Sequence, residues 1–218
     1  MSAILPLPEM LDVFDAAGAA LDPPFLSIDD VHRRGLWHRT FACWLVSPRA
    51  TVLLQKRGPR NRIDPGSYDA AASGHLRAGE TPDDGWRELH EELWIEVPAP
   101  DRFPIGIFRN QAVRGVYINN EFCHVFLARW QGRLQDLTLQ AGEVAGCAEI
   151  PIAGGLALFG GQQSEAPIQT GAAGAGVLRR TDMCNAAARS GENGYYLKVM
   201  QAADDLHAGR PLRWLPPL

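Results

Sequence analysis

Apolar and polar positions alternate in runs that predict a mixture of strands and helices. Arg39 to Val46 and Thr51 to Gln55 are apolar, β-branched stretches parted by Ser47-Pro48-Arg49, the pattern of a hairpin. Leu11 to Phe14 reads as an earlier strand that turns at Asp15-Ala-Ala-Gly18. Ile28 to His32 opens a short turn or helix ending at Gly35. Phe103 to Arg109 and Glu121 to Trp130 are predicted strands, with Gly115 and Asn119-Asn120 turning the chain between them. Cys147 to Ile152 is the expected last strand. Helices are expected over Thr81 to Leu93, near Leu156, and from Tyr195 to His207. This order predicts an α/β sandwich. It divides into a leader over residues 1–38, a core over 39–159, and a tail over 160–218 made of a Gly/Ala-rich segment and a helix packed on the core. Gly171 to Gly176 has the look of a phosphate-binding glycine loop, but no predicted strand leads into it, so a linker is expected.

The Thr81–Leu93 helix carries the chemistry. Thr81 suits the N-cap, Pro82 the first helical position, and Asp83 and Asp84 the positive end. At about 100° per residue, Glu88, Glu91 and Glu92 fall within one arc of roughly 100°. Trp86, Leu89 and Leu93 lie opposite. The apolar side is expected to dock on a sheet. Like charges at this spacing repel, so a compensating cation is expected. Hard oxygen ligands suit Mg²⁺ or Mn²⁺, ions that bind diphosphate oxygens and orient water. A solvated acidic face is the alternative for an isolated E-x-x-E-E.

Composition narrows the classes. Hydrophobic residues at 46% and charged residues at 21% exclude wholesale disorder. A net charge of -4 argues against a nucleic-acid polymer or a polybasic membrane contact. No apolar run reaches about 18 residues, so no membrane span is expected. Cys43, Cys123, Cys147 and Cys184 show no zinc-finger or C-x-x-C spacing. The opening stretch lacks a basic segment ahead of an apolar one. Both features lead to the expectation of a cytoplasmic protein with reduced thiols.

The stretch from Gly74 to Ile95 resembles the Nudix box: Gly, five residues, Glu, seven residues, then Arg-Glu-apolar-x-Glu-Glu-x-Gly-apolar. Gly74, Glu80, Arg87-Glu88-Leu89, Glu91-Glu92 and Ile95 match. Two positions depart: six residues, Thr81 to Trp86, separate Glu80 from Arg87, and Trp94 stands where the family has glycine. One missing residue turns the helix start by about 100° against the loop. Either the loop absorbs the shift or Glu80 no longer reaches Arg87. Val31 to His38, Leu53 to Arg57, Asp64 to Asp69, Ser73-Gly-His75, Tyr117 to Phe122 and Leu139 to Val144 are similar to the isopentenyl-diphosphate-isomerase-like branch, over roughly residues 10–155.

The resemblance implies a Nudix-type α/β/α sandwich with a mixed sheet. It also implies Mg²⁺- or Mn²⁺-dependent hydrolysis of a diphosphate joined to an organic group, such as a nucleoside or isoprenoid diphosphate. Glu88, Glu91 and Glu92 would hold the ion, and Glu91 would take the proton from water, with Glu143 as a second candidate base. Arg87 joins the catalytic set by pairing with Glu80. Lys56, Arg57, Arg60 and Arg62 are candidates to grip phosphates, or else form a solvated loop. True isomerases carry a cysteine just before the Gly-His pair, whereas this chain has Ser73, which supplies no easily ionised thiol. An isomerase is therefore the second reading and a non-catalytic nucleotide-binding module the third. His38 and His75 match metal-binding histidines of the isomerases, but without the cysteine a structural role is expected. Substrate selectivity is sought in Arg109 to Asn120, where Tyr117, like Phe122 beyond it, either packs in the core or stacks on a base. The stripe Tyr195, Val199, Ala202, Leu206 serves core packing or a homodimer seam.

Overall fold

A computed structural model of the chain describes residues 9–171, 174–184 and 194–213. Strand β3 (Trp37–Ser47) is its axis, because almost every residue along it is buried. A strand buried on both faces feeds two cores. Phe41, Cys43 and Leu45 point one way, to meet Trp86, Leu89 and Leu93 of helix α2 (Trp86–Leu93). Ala42, Trp44 and Val46 point the other way, into a larger cluster with helices α3 (Ile152–Phe159) and α4 (Tyr195–His207). The helix with three glutamates thus buries the side opposite to them, as its phase predicts.

The sheet is mixed. β3 pairs in parallel with β8 (Tyr117–Arg129) from Trp37↔Asn120 to Val46↔Arg129, and β8 pairs antiparallel with β7 (Arg102–Arg114). β4 (Thr51–Arg57) forms the expected hairpin with β3, Leu45 facing Leu53. β9 (Val144–Pro151) lies on its far side. The short strands β5 (Tyr68–Asp69) and β6 (Ala72–His75) pair with β4 and β3. β1 (Met10–Phe14) and β2 (Ala20–Ser27) form a hairpin at the edge, and α1 (Ile28–Arg34) follows, capped by Ser27 and ended by Gly35 in the left-handed region.

Four expectations change. β2 is present although its sequence, with Pro23 and Pro24, does not alternate. Its side chains are largely exposed at a sheet edge, where proline is tolerated. The β7–β8 turn falls at Gly115-Val116, and Asn119 and Asn120 are paired strand residues opposite Ala112 and Gln111. Cys147–Ile152 does not contain the last strand, because β10 (Glu165–Thr170) and β11 (Gly174–Arg179) extend the sheet beyond β9. The expected linker is therefore in part a hairpin, and the glycine run lies at its turn, with Ala172 and Ala173 outside the described residues. The α4 stripe is core: Tyr195, Val199, Ala202 and Leu206 are all buried in the cluster with α3.

Candidate functional site

The box folds as a loop, a 3-10 turn over Pro82–Gly85, and α2. The Thr81 N–H and hydroxyl both donate to Asp84 Oδ2 at 2.7 Å. A 3-10 turn rises faster per residue than an α-helix. It spans the shortened segment, and Glu80 does reach Arg87: Arg87 Nε donates to Glu80 Oε1 at 2.9 Å and Nη2 to Oε2 at 3.1 Å. The same guanidinium donates to the His75 carbonyl at 2.9 Å and to Glu88 Oε1 at 2.5 Å, and its Nη1 lies 3.5 Å from Glu91 Oε2. Trp94 ends α2 in the left-handed conformation (φ 56°), where the family pattern has glycine. Its N–H still closes onto His90 O, and the indole is 65% exposed.

Glu88 seats its carboxylate against β6. A Cβ at Gly74 would lie 2.4 Å from Glu88 Cδ and Oε1, so only glycine leaves the room. Burial pushes the Glu88 carboxyl up to about 7, opposed by the Arg87 charge and assisted by Glu91. Burial pushes Glu92 up to about 8. Gln55 Nε2 donates to Glu92 Oε2 at 2.8 Å, and the Ser73 N–H also donates to this carboxylate. Glu91 is the exposed member, its side chain 43% accessible. Arg87 contacts Glu88 but is shared with Glu80, so the two buried carboxylates are only partly compensated. The donor set and its charge fit a small hard divalent cation.

A stability consequence follows. Both folded-state values exceed the ordinary 4.5, whereas His32, His38, His75 and His124 are held below their ordinary 6.5. The histidines add stability as pH rises toward 6.5, and the two glutamates remove it from about pH 7 to 8, where the folded chain binds more protons than the unfolded one. The thermal midpoint of the metal-free protein is expected to drop from pH 7 to pH 8, and Mn²⁺ to raise it more at pH 8 than at pH 7. Scanning calorimetry with and without Mn²⁺ checks this; a metal-free midpoint that climbs across the window contradicts it.

The glutamates face a cleft of about 450 Å³ that also takes in Arg57, Arg60, Arg62, Tyr117 and Glu143. Arg57 reaches Asp69 at 3.2 Å and donates to Ile63 O at 3.0 Å. Arg62 pairs with Asp29 of α1 at 2.6 Å. Lys56 is not brought into the cleft; its ammonium lies over the Tyr68 ring at 5.8 Å. Neighbours one apart in a strand face opposite sides, so Lys56 and Arg57 do not both enter. The loop carrying Glu143 is held by main-chain contacts, with Gln140 N–H on Glu92 O at 2.9 Å and Gly58 N–H on Glu143 O at 2.7 Å. Tyr117 stacks on His32 at 3.9 Å. Phe122 instead stacks on Trp37 at 4.7 Å beneath the Arg109 guanidinium.

Among the described residues, one group of ligating side chains converges with all its ligand atoms within 4.8 Å: His32, His38 and His75. His32 Nε2 lies 3.2 Å from His75 Nε2, and His38 holds the Leu36 carbonyl through Nδ1 while its buried Nε2 has no partner. Burial pushes His32 and His38 down to about 4 and lowers His75 as well, so all three rings are neutral with a lone pair available. Glu121, buried nearby, accepts from Asn110 Nδ2 at 2.7 Å. Sequence reasoning expected structural roles for His38 and His75 and did not single out His32. The signal lay in its place on α1, three positions before the Gly35 stop, which turns it toward β3.

Among the described residues, no helix is long and apolar enough to cross a membrane. The NUDIX domain family model matches residues 36–161. The chain is 35% identical over 147 residues to an uncharacterized Nudix hydrolase of Clostridium acetobutylicum, covering 66% of this chain and 70% of that protein. It is 31% identical over 102 residues to an isopentenyl-diphosphate Delta-isomerase of Shigella flexneri, covering 46% of this chain and 56% of the isomerase. The crystal structure of DR0079 from Deinococcus radiodurans superposes with a TM-score of 0.55 at 19% identity, over 71% of this chain and 91% of that one, and shares the fold. A complete glutamate helix, its Arg87–Glu80 brace and a family match over more than half its length place this chain in the Nudix family, as a Nudix hydrolase with isomerase-like relatives.

Proposed function

We propose that the chain hydrolyses a small diphosphate joined to an organic group, a nucleoside or isoprenoid diphosphate, with Mg²⁺ or Mn²⁺ held by Glu88, Glu91 and Glu92. The observation that carries this reading is the pair of buried, up-shifted carboxylates beside half-exposed Glu91 at the wall of a cleft that arginines also line. A divalent ion bound there would neutralise charge on the diphosphate and lower the pKa of bound water. The chain's own residues supply the rest. Arg57, Arg60 and Arg62 attract and orient the phosphates. Arg87 fixes Glu80 and Glu88 so that the helix presents its carboxylates in one arrangement. Water attacks a phosphorus atom, its proton passes to Glu91 or Glu143, and the anhydride P–O bond breaks with the leaving phosphate carrying the electron pair. The reading places the enzyme in the cytoplasm.

A second reading has one observation in its favour: the neutral His32, His38 and His75 trio, two members of which match metal-binding histidines of the isomerases. Ser73 in place of cysteine weighs against it. One screen separates the two. Purified protein with Mg²⁺ or Mn²⁺ is offered nucleoside and isoprenoid diphosphates, and released phosphate is measured beside dimethylallyl diphosphate formed from isopentenyl diphosphate. Metal-dependent release of phosphate or a monophosphate is expected. Isomer without phosphate release would transfer the assignment to the isomerase, and no turnover of any substrate would leave a binding module.

A further inference from the structure

We infer that Asp12 and Arg39 are positioning residues for the carboxylate helix, so that strand β1, outside the segment matching the family model, completes the site. The inference rests on the metal-dependent hydrolysis proposed for this cleft. Asp12 Oδ2 accepts from Arg39 Nη2 at 2.7 Å and from the Gly79 N–H at 3.1 Å. Arg39 Nη2 also donates to the Glu80 carbonyl at 2.9 Å. The β1 backbone adds a grip of its own: the Ala78 N–H donates to Met10 O at 2.8 Å, and Leu11 bridges to Arg77. Residues 77–80 are therefore clasped from β1 on one side and from β3 on the other.

That segment ends on Glu80, whose Oε2 also accepts from the Arg77 N–H at 2.7 Å. Glu80 engages Arg87, and Arg87 engages Glu88. A continuous polar path thus runs from Asp12 to the first glutamate of the helix. The shortened box explains the need for it. With one residue fewer between Glu80 and Arg87, the segment has no slack to find Arg87 by itself, so its position must be imposed from outside. If the clasp opens, Glu80 lets go of Arg87, and the freed guanidinium competes for Glu88 and Glu91 with any incoming cation. Both bonds leave one nitrogen, Nη2, at the far end of a planar guanidinium; the ammonium of lysine ends one bond short of it and does not reach both acceptors.

The test is Mn²⁺ uptake by Asp12→Asn and Arg39→Lys, followed by electron paramagnetic resonance of free Mn²⁺ well below each variant's thermal midpoint. Arg179→Ala, which removes an exposed ion pair to Glu165 on the β10–β11 hairpin, is the control. The dissociation constant for Mn²⁺ is expected to rise about 10–100-fold in both variants, as for other residues that orient metal ligands, and to stay unchanged in the control. Turnover is expected to recover toward the parent value at saturating Mn²⁺. Unchanged Mn²⁺ affinity in Arg39→Lys, whether or not its thermal midpoint drops, overturns the inference. If Asp12→Asn does not fold, Arg39→Lys decides alone. A parent chain that takes up no Mn²⁺, or a Glu88→Gln variant that binds it as the parent does, would instead sink the metal reading itself.

Discussion

Glu92→Gln is expected to cut hydrolysis by about 10²–10⁴-fold, the range for losing a positioned catalytic group, while the protein stays folded. The amide matches the carboxylate in shape. It keeps one oxygen for the two donors that now converge on the side chain, Gln55 Nε2 and the Ser73 N–H. What disappears is the charge. Because burial holds this carboxyl up at about 8, the ionised form is a burden on the fold, and a neutral replacement relieves it. The thermal midpoint at pH 8 is thus expected to hold or rise as activity falls, the opposite of what a structural carboxylate would give. Glu91→Gln is expected to lose activity on the same scale with little change in stability, since its side chain is half-exposed. Glu143→Gln serves as the comparator: the variant that loses kcat and keeps Mn²⁺ affinity identifies the proton acceptor. Steady-state kinetics and Mn²⁺ titration on the three variants decide the matter. Full turnover in both Glu91→Gln and Glu92→Gln would end the reading in which this helix holds the catalytic metal.

Gly74→Ala is expected to reduce kcat/KM by about 10²-fold, the penalty for displacing a reacting group by about 1 Å. The new methyl would sit 2.4 Å from the Glu88 carboxylate, and the carboxylate, at the tip of a flexible side chain, would swing aside. The backbone at residue 74 is ordinary β-strand, so the fold pays little. The variant should therefore melt close to the parent while binding Mn²⁺ more weakly. Calorimetry and titration on the same sample check this; weakened metal binding together with a collapsed midpoint would show instead that Gly74 matters for β6 itself.

Much of this arrangement is legible in the residues, for identifiable reasons. Helix phase depends on local spacing, so the burial of Trp86, Leu89 and Leu93 opposite the glutamates follows from the sequence. Whether Glu80 still meets Arg87 does not, because the answer lies in a 3-10 turn and in Asp12 and Arg39, which are remote from the box. The β10–β11 hairpin escapes a reading by alternation because its core face is short, carried by Ala166, Ile168 and Leu178 among glycines and polar residues. β2 escapes it because both its prolines sit at an edge. Lys56 misleads because four basic residues within seven positions look like one patch, although the strand sends the first of them elsewhere. The histidine trio draws on α1, β3 and β6, and only the tertiary fold brings three such separate segments together.

The order in which the chain is made also matters. Trp44 is fully buried, and its indole N–H donates to the Tyr195 hydroxyl 151 residues later. One side of the sheet is covered by α3 and α4 together, and the cover is complete only once α4 docks. During synthesis, that side stays open to water and to other chains until residues 195–207 have left the ribosome, and contacts of such long sequence separation form slowly. Until α4 docks, the growing chain presents an apolar surface that the folded molecule hides.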